Sequence, residues 1–158
     1  YADSTIKSDI MDVYLAAKAK FCVANSSGFY PISKIFGTPV LLVDAPSHTD
    51  YLNLDEQDMY LPRLFCKEGN NKKELNLKNF KYPLNSLYSD LHFKKLELRF
   101  IENSPDELKD AVKEMLNKKR ESLLQKKFKR DLSNFFQREK YVPYANLPHT
   151  FLEKYYRV

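Results

Sequence analysis

Two apolar runs, Phe21-Cys22-Val23-Ala24 and Val40-Leu41-Leu42-Val43, flank the turn Asn25-Ser26-Ser27-Gly28 and its continuation to Pro39. Each run is continuous rather than alternating, which is the pattern of a strand covered on both faces in a parallel sheet. Asn25 to Gly28 is a turn signal. A short helix is expected over 29–36, with Ile32, Ile35 and Phe36 facing inward. Gly37 stands at the helix C′ position, and Pro39 prevents continuation. The crossover of about 15 residues exceeds the dozen that a parallel connection needs. Strand, short helix, strand implies an α/β class with a doubly wound sheet.

Outward from this unit the signals vary in strength. A helix is expected over 8–19, with Ser8 as N-cap and Asp9 at the positive end of the dipole. Ile10, Val13, Tyr14 and Ala17 recur at helical spacing and predict one buried stripe. Met59 to Phe65 reads as a strand that Pro62 pushes toward a sheet edge. Residues 67–73 read as a polar turn around Gly69, and 78–91 show no clean period. Leu96 to Ile101 reads as a further strand. Ser104-Pro105-Asp106-Glu107 is a capping box with Pro at N1. Leu108, Ala111, Val112, Met115 and Leu116 follow it at helical spacing. A third helical pattern covers 121–138, with Leu124, Phe128, Leu132 and Phe135 on one face. A last short helix is expected near 151–156.

The 158 residues make room for one domain with a real core. Charged residues are 30% of the chain, and 22 Phe and Tyr residues exclude a wholly disordered chain. No apolar run is long enough for a transmembrane helix, and no signal-peptide pattern opens the chain. The first residue is Tyr1 rather than Met, from which we expect an excised or processed piece of a longer protein. The net charge is +5, and residues 113–140 hold ten Lys and Arg against four Asp and Glu. That segment suits either a solvated helix face or an anionic partner. Cys22 and Cys66 form no CxxC pair, which points to a reducing compartment. His48, His92 and His149 have no zinc-site spacing, and no metal is expected. Three glycines cannot build GxGxxG or a Walker loop, which disfavours P-loop enzymes and ordinary dinucleotide oxidoreductases.

The turn Asn25-Ser26-Ser27-Gly28 is the candidate binding element. Ligands of open α/β sheets lie beyond the carboxyl ends of strands. Ser26 and Ser27 offer hydroxyl donors, and Gly28 permits close approach of a ligand to the backbone. The same residues also read as an ordinary capped helix start. Asp44 ends the second strand at the same sheet edge and reads either as a partner for a sugar hydroxyl or as a turn residue. Arg63 suits bidentate phosphate contact, or is an exposed edge-strand Arg.

Asn25-Ser26-Ser27-Gly28 through Phe36-Gly37-Thr38-Pro39-Val40 resembles the donor-binding half of GT-B type glycosyltransferases. More widely the chain resembles a family of bacterial proteins assigned as glycosyltransferases of surface-glycan gene clusters. The matching stretches are Ser8 to Leu15, the Ser-Ser-Gly turn, Leu61-Pro62-Arg63 and Glu102 to Leu108, ending in Phe151-Leu152-Glu153-Lys154. The resemblance implies a Rossmann-like open parallel sheet with flanking helices, the C-terminal half of a GT-B type fold, over 1–118. A helical basic C-terminal extension over 119–158 would pack on it. The N-terminal acceptor domain would be missing from this chain and would be one of its partners.

The resemblance further implies a nucleotide-sugar donor held by Asn25, Ser26, Ser27, Gly28, Phe29, Tyr30, Asp44 and Arg63, with no cofactor and no metal. The acceptor would be a glycan or a lipid-linked glycan. The expected compartment is the cytoplasm, with peripheral contact at the inner membrane face. Heptosyltransferase-like relatives carry a His three residues past the Gly, where this chain has Pro31. The paired-Glu motif of many retaining enzymes is absent, so the resemblance carries no retaining mechanism. No catalytic base stands out among His48, Asp50 and Glu56. The competing reading is a non-catalytic basic module using 113–140 on anionic membrane or nucleic acid. Phe128, Phe135 and Phe136 follow the core stripe there, which argues against nucleic acid. A degenerate domain that keeps only the fold is the third reading.

Overall fold

The computed structural model describes residues 1, 3–45, 54–67, 69, 94–95, 97–117, 120–136 and 144–156. In chain order these form α1 (Asp9–Lys18), β1 (Cys22–Ala24), α2 (Tyr30–Ile35), β2 (Val40–Ala45), β3 (Met59–Pro62) and β4 (Leu64–Lys67). They continue with β5 (Leu98–Ile101), α3 (Pro105–Asn117), α4 (Leu123–Phe136) and α5 (His149–Tyr155). Strands β1, β2 and β3 make a parallel sheet in that order, and β4 pairs with β5 antiparallel as a separate ribbon. The chain is therefore mixed α/β, with a small parallel sheet flanked by helices. The order β1-β2-β3 runs one way. A doubly wound sheet reverses its strand order at a switch point, and the described strands contain no such reversal.

Strand β2 is central, and Val40, Leu41 and Leu42 are fully buried from both faces. These residues join Tyr60, Leu61, Phe128, Leu132, Leu147, Phe151 and Leu152 in one apolar cluster. Helices α4 and α5 thus share a core with the sheet. Strand β3 ends the sheet on one side at Pro62, as the proline predicts. The chain then leaves through Arg63 into β4, so the single strand expected over 59–65 is two short ones in different sheets. The outer edge of β3 is not bare. The Tyr60 amide donates to the Asn146 carbonyl at 2.8 Å, and Met59 and Asn146 form a parallel bridge.

Three expectations about apolar faces are corrected. The stripe on α1 does not enter the core: Ile10 is 83% exposed, Val13 and Tyr14 are exposed, and only Ala16 is buried. The helix itself forms as expected, with the Met11 amide donating to Ser8 Oγ at 3.2 Å. It packs beside α2 rather than flat on the sheet, so most of its apolar positions stay exposed. On α2 the inward residues are Tyr30 and Ser33, whereas Ile35 is 78% exposed and Phe36 is exposed. A six-residue helix is under two turns, too short for periodicity to identify its buried side. Strand β1 also departs from the expectation of two covered faces. It is the edge of the sheet among the described strands, and Val23 on one of its faces is 49% exposed.

Local signals hold elsewhere. Gly37 closes α2 with φ +72°. The capping box is formed, with the Ser104 amide donating to Glu107 Oε2 at 2.8 Å and the Glu107 amide donating to Ser104 Oγ at 3.3 Å. On α4, Phe128 and Leu132 are buried. Residues 46–53, 70–93, 118–119 and 137–143 lie outside the described residues, and with them fall His48, Asp50, the 78–91 segment and the 118/119 boundary. Among the described residues no helix is long and apolar enough to cross a membrane.

Candidate functional site

The carboxyl ends of the three parallel strands carry the candidate residues. The turn at 25–28 follows β1, Asp44 lies near the end of β2, and Arg63 follows β3. In a parallel sheet these ends share one edge.

The turn is open. Asn25, Ser26, Ser27, Gly28 and Phe29 are all exposed. The Ser27 amide donates to the Asn25 carbonyl at 2.7 Å, which tightens the bend. Helix α2 begins two residues past Gly28, with Phe29 as N-cap and no side-chain cap. The serine hydroxyls therefore do not serve as the helix cap that the plainer reading assigned them. Gly28 is not needed for conformation, since its φ is not positive, nor for space, since a Cβ there would meet nothing within 4 Å. Tyr30 differs from its neighbours: it is the first residue of α2 and is buried in the core. Pro31 occupies the first turn of α2, where a missing amide costs nothing.

Asp44 and Arg63 come together and are already engaged. The β2–β3 register shifts between Val43 and Ala45, and Asp44 is the extra residue, at φ 49°. A bulge re-aims a side chain, and Asp tolerates the left-handed region better than most residues. Here the bulge turns Asp44 onto Asn103. The Asn103 amide donates to Asp44 Oδ1 at 2.8 Å, and the Asp44 amide donates to Asn103 Oδ1 at 2.9 Å. Asn103 Nδ2 also donates to the Pro62 carbonyl at 2.8 Å. Arg63 Nε stands 3.9 Å from Asp44 Oδ1, beyond hydrogen-bond reach, and the guanidinium lies 5.9 Å from the Phe100 ring centroid. The Arg63 Nε atom is buried without a hydrogen-bond partner. This cluster ties the ends of β2 and β3 to the start of α3.

Asn103 is the member that sequence reasoning missed. It sits one residue before the capping box, a place with no signal of its own. Its partners lie 59 and 41 residues away in sequence, so only the fold reveals it.

Behind the edge, two ionic knots hold the helices. Glu107, at the start of α3, accepts from Lys154 Nζ at 2.7 Å and from the Tyr155 hydroxyl. Burial alone would raise its carboxyl. The hydrogen bonds from Lys154, Tyr155 and the Ser104 backbone outweigh burial and hold it at about 2. Asp58 is fully buried and accepts from the Val40 amide at 2.8 Å, the Asp55 amide at 2.7 Å and Lys34. Burial opposes the charge on Lys34, and the hydrogen bonds it donates to Asp55 and Asp58 overcome that and raise the ammonium. Glu56 is exposed beside this knot, away from the sheet edge. Among the described residues no group of three or more His, Cys, Asp or Glu could hold a metal ion.

Compared with known proteins, the chain matches no family model, no curated protein and no solved structure.

Proposed function

We propose that the chain binds the diphosphate of a nucleotide sugar at the carboxyl edge of its parallel sheet, as the donor-binding half of a glycosyltransferase. The observation that carries this reading is the unspent chemistry of the 25–28 turn. Ser26 and Ser27 are exposed and do not cap α2. Gly28 has open space around it and no backbone need for glycine. Open space at a glycine is what close approach of a ligand to the main chain requires. Hydroxyls beyond a strand end suit phosphate oxygens. Asp44 and Arg63 are, in this reading, framework: they fix the ends of β2 and β3 next to the turn. A Rossmann-like, GT-B type architecture and an acceptor of the surface-glycan class belong to the same proposal.

The test is a titration of the folded chain with UDP, GDP, ADP and CMP, followed by amide shifts in NMR. Shifts centred on Asn25 to Tyr30 with one nucleotide are expected and would identify the donor class. Silence from all four nucleotides removes the reading for the isolated chain.

One observation favours a second role. Lys126 and Arg130 lie one turn apart on the exposed side of α4, and Leu123 on that helix is 85% exposed. A basic face with a protruding Leu suits an anionic lipid surface. Salt-sensitive flotation with phosphatidylserine vesicles is the expected result, and no flotation at low salt rejects it.

A further inference from the structure

Away from the sheet edge, the start of α4 meets the start of α5 across a cleft of about 490 Å³. Ser122 Oγ lies 3.0 Å from His149 Nδ1. The other ring nitrogen, Nε2, lies 3.3 Å from Glu153 Oε1, one turn further along α5. The three residues are a hydroxyl, an imidazole and a carboxylate in series. With Glu153 accepting from Nε2–H, Nδ1 is left to accept the proton of the Ser122 hydroxyl. That is the geometric relation of nucleophile, base and orienting carboxylate.

Both elements are held firmly. Ser122 is the N-cap of α4: its amide donates to Gln125 Oε1 at 2.8 Å, and its Oγ accepts from the Gln125 amide at 3.2 Å. One oxygen lone pair is therefore used, and the second remains for attack. Gln125 is buried and donates to Glu114 Oε1 at 2.8 Å and to the Leu147 carbonyl at 2.7 Å. Glu114 Oε2 in turn accepts from the His149 amide at 2.7 Å. The two helix starts are thus fixed to each other through Gln125 and Glu114. The first amides of α4, at Leu123 and Leu124, follow Ser122 and precede the first intrahelical bond. Lys113 and Arg120 line the same cleft, with Asp110 beside them.

We propose that Ser122 is an activated nucleophile toward carboxylic esters, with His149 as its base and Glu153 as the residue that sets the His149 tautomer. Ser122 Oγ bonds to the ester carbonyl carbon as its proton passes to His149 Nδ1. The carbon–alkoxide bond then breaks, and the alkoxide leaves with that proton. Water, deprotonated by His149, attacks the acyl-serine; the acid departs and the proton returns to Ser122. The amides of Leu123 and Leu124, unpaired in the first turn of α4, are the donors offered to the developing oxyanion.

The experiment is reaction of the folded chain with a fluorophosphonate probe, read by intact mass and peptide mapping. Ser122 Oγ displaces fluoride from phosphorus, and the hydroxyl proton leaves through His149. One adduct, mapped to Ser122, is expected. A His149→Ala substitution is expected to slow labelling at least about 100-fold, the range of general-base contributions. Glu153→Gln is expected to slow it about tenfold with an unchanged melting curve, and to shift the His149 ring ¹⁵N spectrum away from the Nε2–H tautomer. Ser122→Asn keeps a capping oxygen and is expected to abolish the adduct without unfolding α4. No adduct at Ser122 in the folded chain, or labelling indifferent to His149→Ala, overturns the proposal.

Discussion

The two edges of the parallel sheet are finished differently. At β3 the outer backbone is paired by Asn146, and α3, α4 and α5 close over the strand through Phe128, Leu152 and the Glu107 knot. At β1 no described strand pairs the outer edge, Val23 is half exposed, and the apolar stripe of α1 faces outward. The polar groups divide the same way. On the β3 side Asp44, Asn103, Asp58 and Glu107 each make two or more hydrogen bonds. On the β1 side the serines of the turn cap nothing. Engaged polar groups stabilise a fold, and unengaged ones are available to a ligand. The candidate residues therefore separate into framework (Asp44, Arg63) and candidate contact (Ser26, Ser27, Gly28), although the sequence places them all at strand ends.

The largest expected contrast between the two flanks is in apolar truncation. Phe128→Ala removes a ring that is 1% exposed and is expected to cost about 3–5 kcal/mol. Ile10→Ala, at 83% exposure, is expected to change stability by less than about 0.5 kcal/mol. Urea unfolding of both variants checks this. Equal losses would mean that the α1 stripe is covered and the comparison is wrong.

Next in size is the buried carboxylate under β2. Asp58→Ala leaves the Val40 and Asp55 amides without their acceptor and removes the buried one of the two carboxylates on Lys34, and is expected to cost about 3 kcal/mol, as breaking a buried ion pair does. The same urea midpoint measures it. A loss under about 1 kcal/mol would remove Asp58 from the framework.

Acid tests the other knot. Glu107 titrates at about 2 when folded, against an ordinary value of 4.5. A depressed carboxylate contributes its stability in full above the unfolded value and loses it as pH falls through the folded one. The contribution, on the order of 3 kcal/mol by that linkage, is therefore present above about pH 4.5 and fades toward pH 2. Glu107→Gln retains a capping-box side chain but not the charge that faces Lys154. The variant is expected to be less stable than the parent at pH 7 and to converge with it near pH 2. A constant gap across that range would show that the charge is not what binds α5 to α3.

How much of this was readable in advance depended on the range of the interaction. The β2 run was legible because a covered strand has a simple composition, and the Ser104–Glu107 box because its parts are three residues apart; the equally apolar β1 run gave the strand but not its open face. The α1 stripe shows which face is apolar; whether a partner arrives to cover it is decided by α2 and the sheet. The Asp44–Asn103 pair could not be read at all, since a bulge and a 59-residue separation create it. Within the candidate site the turn was legible and its open hydroxyls were not. A Ser beside a Gly before a helix has the same sequence whether or not it caps.

Glycine gives the smallest stability effect and the sharpest division between framework and contact. Gly37 sits at φ +72°, so Gly37→Ala is expected to cost about 1–2 kcal/mol from the left-handed backbone alone. Gly28 has neither positive φ nor a neighbour within 4 Å. Gly28→Ala is therefore expected to leave stability unchanged or to raise it by about 0.4–1 kcal/mol through the unfolded chain. If a nucleotide diphosphate lies against the turn, the same methyl group occupies its place, and binding by NMR titration is expected to fall at least tenfold. Stability kept and binding lost is the signature of a ligand contact. Stability kept and binding kept would move the site off Gly28, while stability lost would mean that the turn belongs to the framework after all.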